Sequence, residues 1–530
     1  MAIADPIRDG LARGWRATDA STLTRDADYA CDVAIVGTGA GGGTAAEILT
    51  AAGLSVLMIE EGPLRSSSDF HMREREAYPD LYQESAARKT RDKSINILQG
   101  RCVGGGTTVN WTSAFRTPAA TLARWRSHHA VHDCDEASLA PWFARMEARL
   151  GIAPWTVAPN ANNAALARGA DRLGVSHAPI SRNVRGCWNL GYCGMGCPTN
   201  AKQSMLVTTI PAALDGGATL VSRLRALRFV TTGDRVDAVE CAPMQANGVD
   251  LAPWTVRVHA RAFVAAAGAI NTPALFMRSG LPDPHSLVGR RTFLHPTVVS
   301  AALMPERVDA FSGAPQSIYS DEWLAHAAPD GAIGYKLEAP PVHPILAAIT
   351  LPDFGDAHAA RMAELARWHV LIALLRDGFG VQSQGGAVRL RDDGSPELDY
   401  PLTPYLWDGV RRAMTSMAEL QFAAGARAVI PVHARGLAYR DFADTRAAIA
   451  GFDFAPRTTP VVSAHVMGGA PFGSDATTSV VDEDGRHHHL ANLHVMDASL
   501  FPTSIGANPQ LTIYAIVARL ADRLARKLAR

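Results

Sequence analysis

Short apolar runs and a small-residue helix alternate near the start of the chain. Cys31 to Val36 reads as a buried strand, Ala40 to Ala52 as a helix of small residues, and Ser55 to Ile59 as a second apolar strand. That order predicts parallel pairing, because the helix carries the chain back to the same end of the sheet. Residues 1–28 read as a polar N-terminal extension. Residues 64–98 carry Arg65, Ser66, Ser67, Ser68, Arg73, Arg75, Lys89 and Arg91, which predicts a long excursion over the surface. A glycine-rich turn spans Gly100 to Asn110, and a helical region follows over roughly 119–150. Strand patterns occupy about 218–230, 236–243 and 254–265, and helices about 405–424 and 509–528. Residues 332–385 mix Pro, Gly and apolar positions without a clear period.

Composition adds bounds rather than identity. A chain of 530 residues exceeds one simple core and predicts two lobes. Lys+Arg and Asp+Glu both number 51, so net charge directs the chain to neither nucleic acid nor an anionic membrane. The seven cysteines are odd in number and irregularly spaced, which argues against a disulfide framework and suits a reducing compartment. No apolar leader occupies the first thirty residues, and no uninterrupted apolar stretch reaches the ~18 residues of a membrane span. The expectation is a cytoplasmic protein, with peripheral membrane contact left open.

Candidate chemistry begins at Gly37-Thr38-Gly39-Ala40-Gly41-Gly42, which fits G-x-G-x-x-G between a strand and a helix. Gly37 serves the tight turn, Gly39 lets backbone approach a pyrophosphate, and Gly42 allows helix to pack on strand. The helix N-terminus offers free N–H groups to phosphate. Glu60 ends the second strand 18 residues after Gly42, where a carboxylate can accept hydrogen bonds from ribose hydroxyls. The motif predicts a dinucleotide without separating FAD from NAD.

Four further segments carry a family resemblance. Gly100-Arg101-Cys102-Val103-Gly104-Gly105-Gly106-Thr107-Thr108-Val109-Asn110 and Gly268 to Leu281 resemble the two signatures of the glucose-methanol-choline (GMC) oxidoreductases. His465-Val466-Met467-Gly468 resembles the family's catalytic-histidine segment, and Asn492 to Pro502 with Asn508 to Ile513 its flavin-contact segment. Pro282 and Gly469 depart from the usual pattern. The tone of residues 187–206 and 332–350 is similar to long-chain alcohol oxidases and, more distantly, cholesterol oxidases.

The resemblance implies an α/β fold with a Rossmann-like FAD lobe and an interleaved substrate lobe of sheet plus helices. It implies a discontinuous FAD domain over 29–120, 205–295 and 456–530, with 121–204 and 296–455 forming the substrate-binding cap. Arg101, Gly104, Gly105, Thr107, Asn110 and Trp111 would contact the cofactor, as would Asp497, Ala498, Pro509 and Gln510, beside Gly37, Gly39, Gly41, Gly42 and Glu60. Some members attach FAD through a His before the signature Asn. Val109 stands there, which implies non-covalent FAD.

The implied reaction oxidises an alcohol to an aldehyde or ketone by hydride transfer to flavin N5, with oxygen or another acceptor reoxidising the flavin. His465 would act as base and Asn508 would orient the hydroxyl. An apolar aliphatic or aromatic primary alcohol is the expected substrate. A sugar, sterol or aminoglycoside hydroxyl and a flavin-retaining hydroxynitrile lyase are the rivals. Asn508 followed by Pro509 also reads as a helix N-cap with proline at the first helical position. Cys187, Cys193 and Cys197 lack a fourth ligand and read as a glycine-rich loop of buried thiols near the substrate entrance rather than a metal site. His487-His488-His489 reads as a solvated turn. The apolar stripe of the last helix is expected to pack on the flavin lobe.

Overall fold

A computed structural model describes residues 3–328 and 331–529. The first apolar runs form the centre of an eight-stranded sheet, ordered Arg16–Asp19, Thr219–Ser222, Val56–Ile59, Ala27–Val36, Val256–Ala265, Arg235–Pro243 and Leu224–Thr232. Val33 pairs with Val56 and Val36 with Ala265, both in parallel register. Leu493–Val495 adds a parallel strand beside Val256–Ala265. The helix Ala40–Ala51 connects Ala27–Val36 to Val56–Ile59, as the sequence predicts. The last helix, Gln510–Leu528, packs its apolar stripe against Ala40–Ala51 and Glu136–Leu150. Leu511, Ile516, Leu520 and Leu524 of that stripe are buried in the first core.

A second sheet orders Ile95–Ile97, Val461–Ser463, Thr297–Leu303, Trp368–Leu375, Tyr335–Glu338, Ile318–Ser320 and Ala178–Pro179. Ala428–Pro431 pairs with Thr297–Leu303 on this sheet. A smaller sheet joins Pro396–Asp399, Gly386–Leu390, Arg290–Leu294 and Val466–Gly468. His465 therefore lies in the link between a strand of one sheet and a strand of the other. The helix Pro404–Ala423 covers the second sheet and buries Leu406, Val410, Met414 and Met417.

Several expectations change. The polar extension is partly structural, since Arg16–Asp19 pairs with Thr219–Ser222. Residues 64–98 are not a surface excursion. Phe70, Ala77, Leu81, Tyr82, Arg88 and Ile95 are buried there. Their polar neighbours are satisfied internally: the Arg88 guanidinium donates to Glu84, Gln99, Asn271 and Gln83. The helices Ala119–His128 and Glu136–Leu150, placed with the cap from sequence, bury Leu122, Trp125, Leu139 and Phe143 in the first core. Of the three adjacent histidines, His488 and His489 lie in a turn with His489 exposed, as expected, but the first does not. His487 is buried, with its ring 5.8 Å from Phe276. Burial pulls its pKa down to about 4.

Buried neutral histidines make the fold acid-sensitive. His369 is fully buried, its Nδ1–H donates to Asn162 Oδ1 at 2.9 Å, and burial followed by the Arg168 charge pulls its pKa down to about 3. The unfolded chain binds that proton near pH 6.5, the native protein near pH 3. Stability from this group is thus complete above about pH 6.5 and is lost as pH falls toward 3, at up to about 1.4 kcal/mol per pH unit. Melting temperatures between pH 7 and 5 are expected to fall less steeply in His369→Gln than in wild type. Parallel curves would remove His369 from this role.

Candidate active site

A single cavity of about 1530 Å³ runs from the fingerprint to His465 and continues along the second sheet. At one end the strand Ala27–Val36 delivers Gly37 at φ +98, a conformation that suits glycine. A Cβ on Gly42 would sit 1.9 Å from the Gly37 carbonyl oxygen, so Gly42 serves packing, and it does not line the cavity. Gly39 does line it, and its nearest neighbour to a Cβ, Gly105, is 3.9 Å away. That open side leaves room for an elongated phosphate group. The helix behind it begins without a side-chain cap, leaving N–H groups free for an anion.

Glu60 is buried and lines the same end. Its carboxylate accepts from Thr38 Oγ1 at 2.6 Å, Thr38 N at 3.1 Å and Gly62 N at 3.0 Å. Burial raises its pKa despite these bonds. Arg101 also lines the cavity and lies 3.7 Å from Glu61, which Arg225 contacts at 3.0 Å. Arg225 and Gly248 were not read from the sequence, yet they complete this wall.

The middle of the cavity is lined by Gly105, Thr107, Asn110 and Trp111, whereas Gly104 faces away and packs on Thr108. The Lys202 ammonium donates to the carbonyls of Thr108, Asn110 and Cys193 at 2.6, 2.8 and 2.6 Å. This ties the glycine-rich turn to the cysteine loop, whose Gly194 and Met195 reach the cavity. All seven cysteines are free thiols, and among the described residues no three His, Cys, Asp or Glu side chains are grouped to hold a metal ion.

Asp497, Ala498, Pro509 and Gln510 also line the cavity, and a Cβ on Gly41 of the fingerprint would lie 3.2 Å from the Asp497 Cα. The Asp497 carboxylate accepts from Gly268 N at 2.8 Å, Thr272 Oγ1 at 2.6 Å and Ser499 N at 2.8 Å, so it braces two cavity loops. Gln510 is likewise a strut: Asn110 Nδ2 donates to its Oε1 at 2.7 Å, and its Nε2 donates to Ser113 O at 2.7 Å. The last helix begins at Gln510 with Pro509 in the cap position and no side-chain cap. Asn508 therefore does not cap it, contrary to the sequence reading. Its Nδ2 turns instead to Glu338 Oε2 at 3.4 Å, and its Oδ1 is buried without a partner.

His465 and Asn508 both line the cavity. His465 Nδ1 lies 3.0 Å from His295 Nδ1, the two rings nearly perpendicular. Gly506 N–H donates to His295 Nε2 at 3.2 Å. Burial, and then the Lys336 charge, pull the His465 pKa down to about 3, which keeps the imidazole neutral. Behind Asn508, Lys336 lies 3.8 Å from Glu338, both buried. The ammonium also sits 2.9 Å from the Phe115 ring centroid, a cation–π contact. Burial lowers the Lys336 pKa and raises that of Glu338.

Beyond the two polar groups the wall turns apolar. Strand alternation sets Trp368, Val370, Ile372 and Leu374 toward the cavity, while Leu371, Ala373 and Leu375 enter the second core. Val299 and Ala301 extend this face on the neighbouring strand. The short helix Pro344–Thr350 closes the opposite side with Leu346 and Ala347. The sequence offered no period for this region. His295 was also missed, its one signal being a His-Pro pair at the end of an apolar strand.

Two family models, both described as GMC oxidoreductase, match residues 78–297 and 382–517. A long-chain-alcohol oxidase of Arabidopsis thaliana is 30% identical over 526 residues, covering 94% of this chain and 68% of that protein. An uncharacterized GMC-type oxidoreductase of Sinorhizobium fredii is 31% identical over 511 residues, covering 94% and 96%. A paromamine 6'-oxidase of Streptomyces fradiae is 29% identical over 578 residues, covering 99% and 95%. Among solved structures, pyridoxine 4-oxidase from Mesorbium loti superimposes with a TM-score of 0.66 at 20% identity, covering 93% of this chain and 99% of that one. A formate oxidase of Aspergillus oryzae does so with a TM-score of 0.70 at 15% identity, covering 96% and 100%. Among the described residues no helix is long and apolar enough to cross a membrane. With its glycine-lined cavity leading to His465, the chain belongs to the GMC oxidoreductase family and is an FAD-dependent oxidoreductase acting on CH–OH donors.

Proposed function

We propose that this enzyme oxidises apolar primary alcohols, aliphatic or aromatic, to aldehydes, with FAD held non-covalently. The observation that carries this reading is the continuous apolar wall of Val299, Trp368, Val370, Ile372 and Leu374 beyond His465 and Asn508. A polar sugar or aminoglycoside laid on that wall would lose hydration without gaining partners. An alkyl or aryl tail loses only unfavourable contact with water. The long-chain-alcohol oxidases among the relatives point the same way.

FAD, when bound, supplies the hydride acceptor at flavin N5. The chain's part is to place the alcohol. His465 and Asn508 meet the hydroxyl, and the apolar wall aligns the tail, so that the carbinol C–H is directed at the flavin. Val109, at the position where some relatives attach their cofactor, offers no nucleophile, so acid precipitation is expected to release the flavin into solution.

The test is anaerobic mixing of the FAD-loaded enzyme with alcohols of rising chain length, following the visible flavin band. Each buried methylene contributes about 0.8 kcal/mol, so bleaching at limiting alcohol should accelerate about fourfold per carbon until the tail outgrows the wall. Prompt recolouring in air would assign oxygen as the acceptor, and slow recolouring a separate electron acceptor. Bleaching by sugars or aminoglycosides with none by alkanols would overturn the proposed substrate class.

A further inference from the structure

We infer that His295 and Glu338, two residues that do not line the cavity, fix the hydrogen-bond polarity of the site: His465 meets the alcohol oxygen as a donor through Nε2–H, and Asn508 meets the hydroxyl hydrogen as an acceptor through Oδ1. The inference rests on the alcohol-oxidising reading for what occupies the cradle, and on hydrogen-bond geometry alone for its polarity.

His295 starts the chain of constraints. It is only 1% exposed, and its Nε2 accepts the Gly506 backbone N–H at 3.2 Å. A neutral imidazole carries one ring proton, so that proton sits on Nδ1. His295 Nδ1 faces His465 Nδ1 at 3.0 Å, a distance at which one nitrogen donates and the other accepts. His295 is therefore the donor and His465 Nδ1 the acceptor. The single proton of neutral His465 is left on Nε2, the ring nitrogen still available to the cavity. Lys336 and Arg376 bear on the pair from outside, and with burial they keep both rings neutral.

Asn508 is constrained from its other side. Glu338 is fully buried, and although burial raises its pKa, the Lys336 ammonium 3.8 Å away and the Asn508 amide oppose that rise and hold it as the carboxylate, an acceptor only. Asn508 must then turn Nδ2 to it, as the 3.4 Å contact shows. This leaves Oδ1 without a donor although Asn508 is 4% exposed. A buried carbonyl in that state costs about 1–3 kcal/mol until a donor arrives. An alcohol supplies one. Its oxygen accepts from His465 while its hydrogen goes to Asn508, so one hydroxyl satisfies both groups and is held in one orientation. In this tautomer His465 holds the bound alcohol by donating to its oxygen, a binding polarity opposite to that of the resting base the family resemblance implies. His295 and Glu338 are positioning residues, and His465 and Asn508 the groups that touch substrate.

Neutron diffraction from crystals of the FAD-loaded enzyme exchanged into deuterium oxide reads the polarity directly. Deuterium is expected on His465 Nε2 and His295 Nδ1, with none on His465 Nδ1. Deuterium on His465 Nδ1, or on His295 Nε2, would overturn the inference. Neither outcome depends on which alcohol is oxidised, so a failed substrate class and a failed polarity are told apart. Two variants add a kinetic readout. His295→Asn keeps an N–H close to the Nδ1 position, whereas His295→Leu removes it. Flavin reduction by a primary alcohol should slow at least tenfold in the Leu variant and recover most of that loss in the Asn variant. Wild-type rates in His295→Leu, or equal losses in both variants, would reduce His295 to a packing residue.

Discussion

Flavin reduction by alcohol is expected to fall about 10²–10⁴-fold in His465→Ala while FAD stays bound, the loss typical of removing a positioned proton-handling or oxygen-stabilising group. The side chain lies in the link between the second and smaller sheets, whereas Gly39 and Glu60, expected to hold the dinucleotide, follow strands of the first sheet. Its polar contact in the protein is with His295. Truncation would remove the group proposed to meet the substrate oxygen and leave the residues expected to contact phosphate and ribose in place. It also strands the His295 N–H, which costs about 1–3 kcal/mol of stability. The variant should therefore melt slightly earlier, with undiminished flavin absorbance per chain. Rapid mixing without oxygen separates the effects, because it reads the reductive half-reaction alone. Reduction at the wild-type rate would remove His465 from catalysis.

The parts of this site legible in the sequence are those whose causes are local. Gly42 is required by the carbonyl of Gly37, five positions away, so the spacing of the fingerprint is itself the signal. The strand, helix and strand around it follow from runs of apolar and small residues in one short stretch. Asn508 shows where local reasoning stops. An Asn before a Pro has the chemistry of a helix cap, but a carboxylate 170 positions earlier in the chain takes the amide instead. His295 carries no motif, and its role comes from a ring equally distant in sequence. The same limit applies to residues 64–98. Their charge reads as solvation, yet Arg88 finds four polar partners inside the fold. His487 is misread for a related reason, because its neighbour Phe276 lies on a distant helix.

The fingerprint glycines should separate into two classes when each gains a side chain. Gly39→Val is expected to fold with a near-native melting temperature yet purify without flavin. Gly39 has φ −68, which any residue adopts, and a Cβ there finds no protein atom closer than 3.9 Å. The added branch occupies cavity space instead, on the side where phosphate must meet the helix N-terminus, and should weaken FAD at least ~10²-fold. Gly41→Ala is expected to fail differently. A Cβ at Gly41 would lie 1.7 Å from the Met496 carbonyl oxygen and 2.8 Å from its carbon. Both are backbone atoms at the end of the strand Leu493–Val495, so either that strand or the helix Ala40–Ala51 must retreat. Such overpacking costs about 1–3 kcal/mol, and more where no side chain can yield. Asp497 and Ala498 follow directly, so the same displacement shifts their part of the cavity wall. Melting temperature and flavin content should both fall in Gly41→Ala, and only flavin content in Gly39→Val. Flavin retained by Gly39→Val would mean that the phosphates do not approach the chain at that glycine. A native melting curve for Gly41→Ala would mean that the helix and the strand end are not held in the contact that brings the two ends of the sequence to one cofactor.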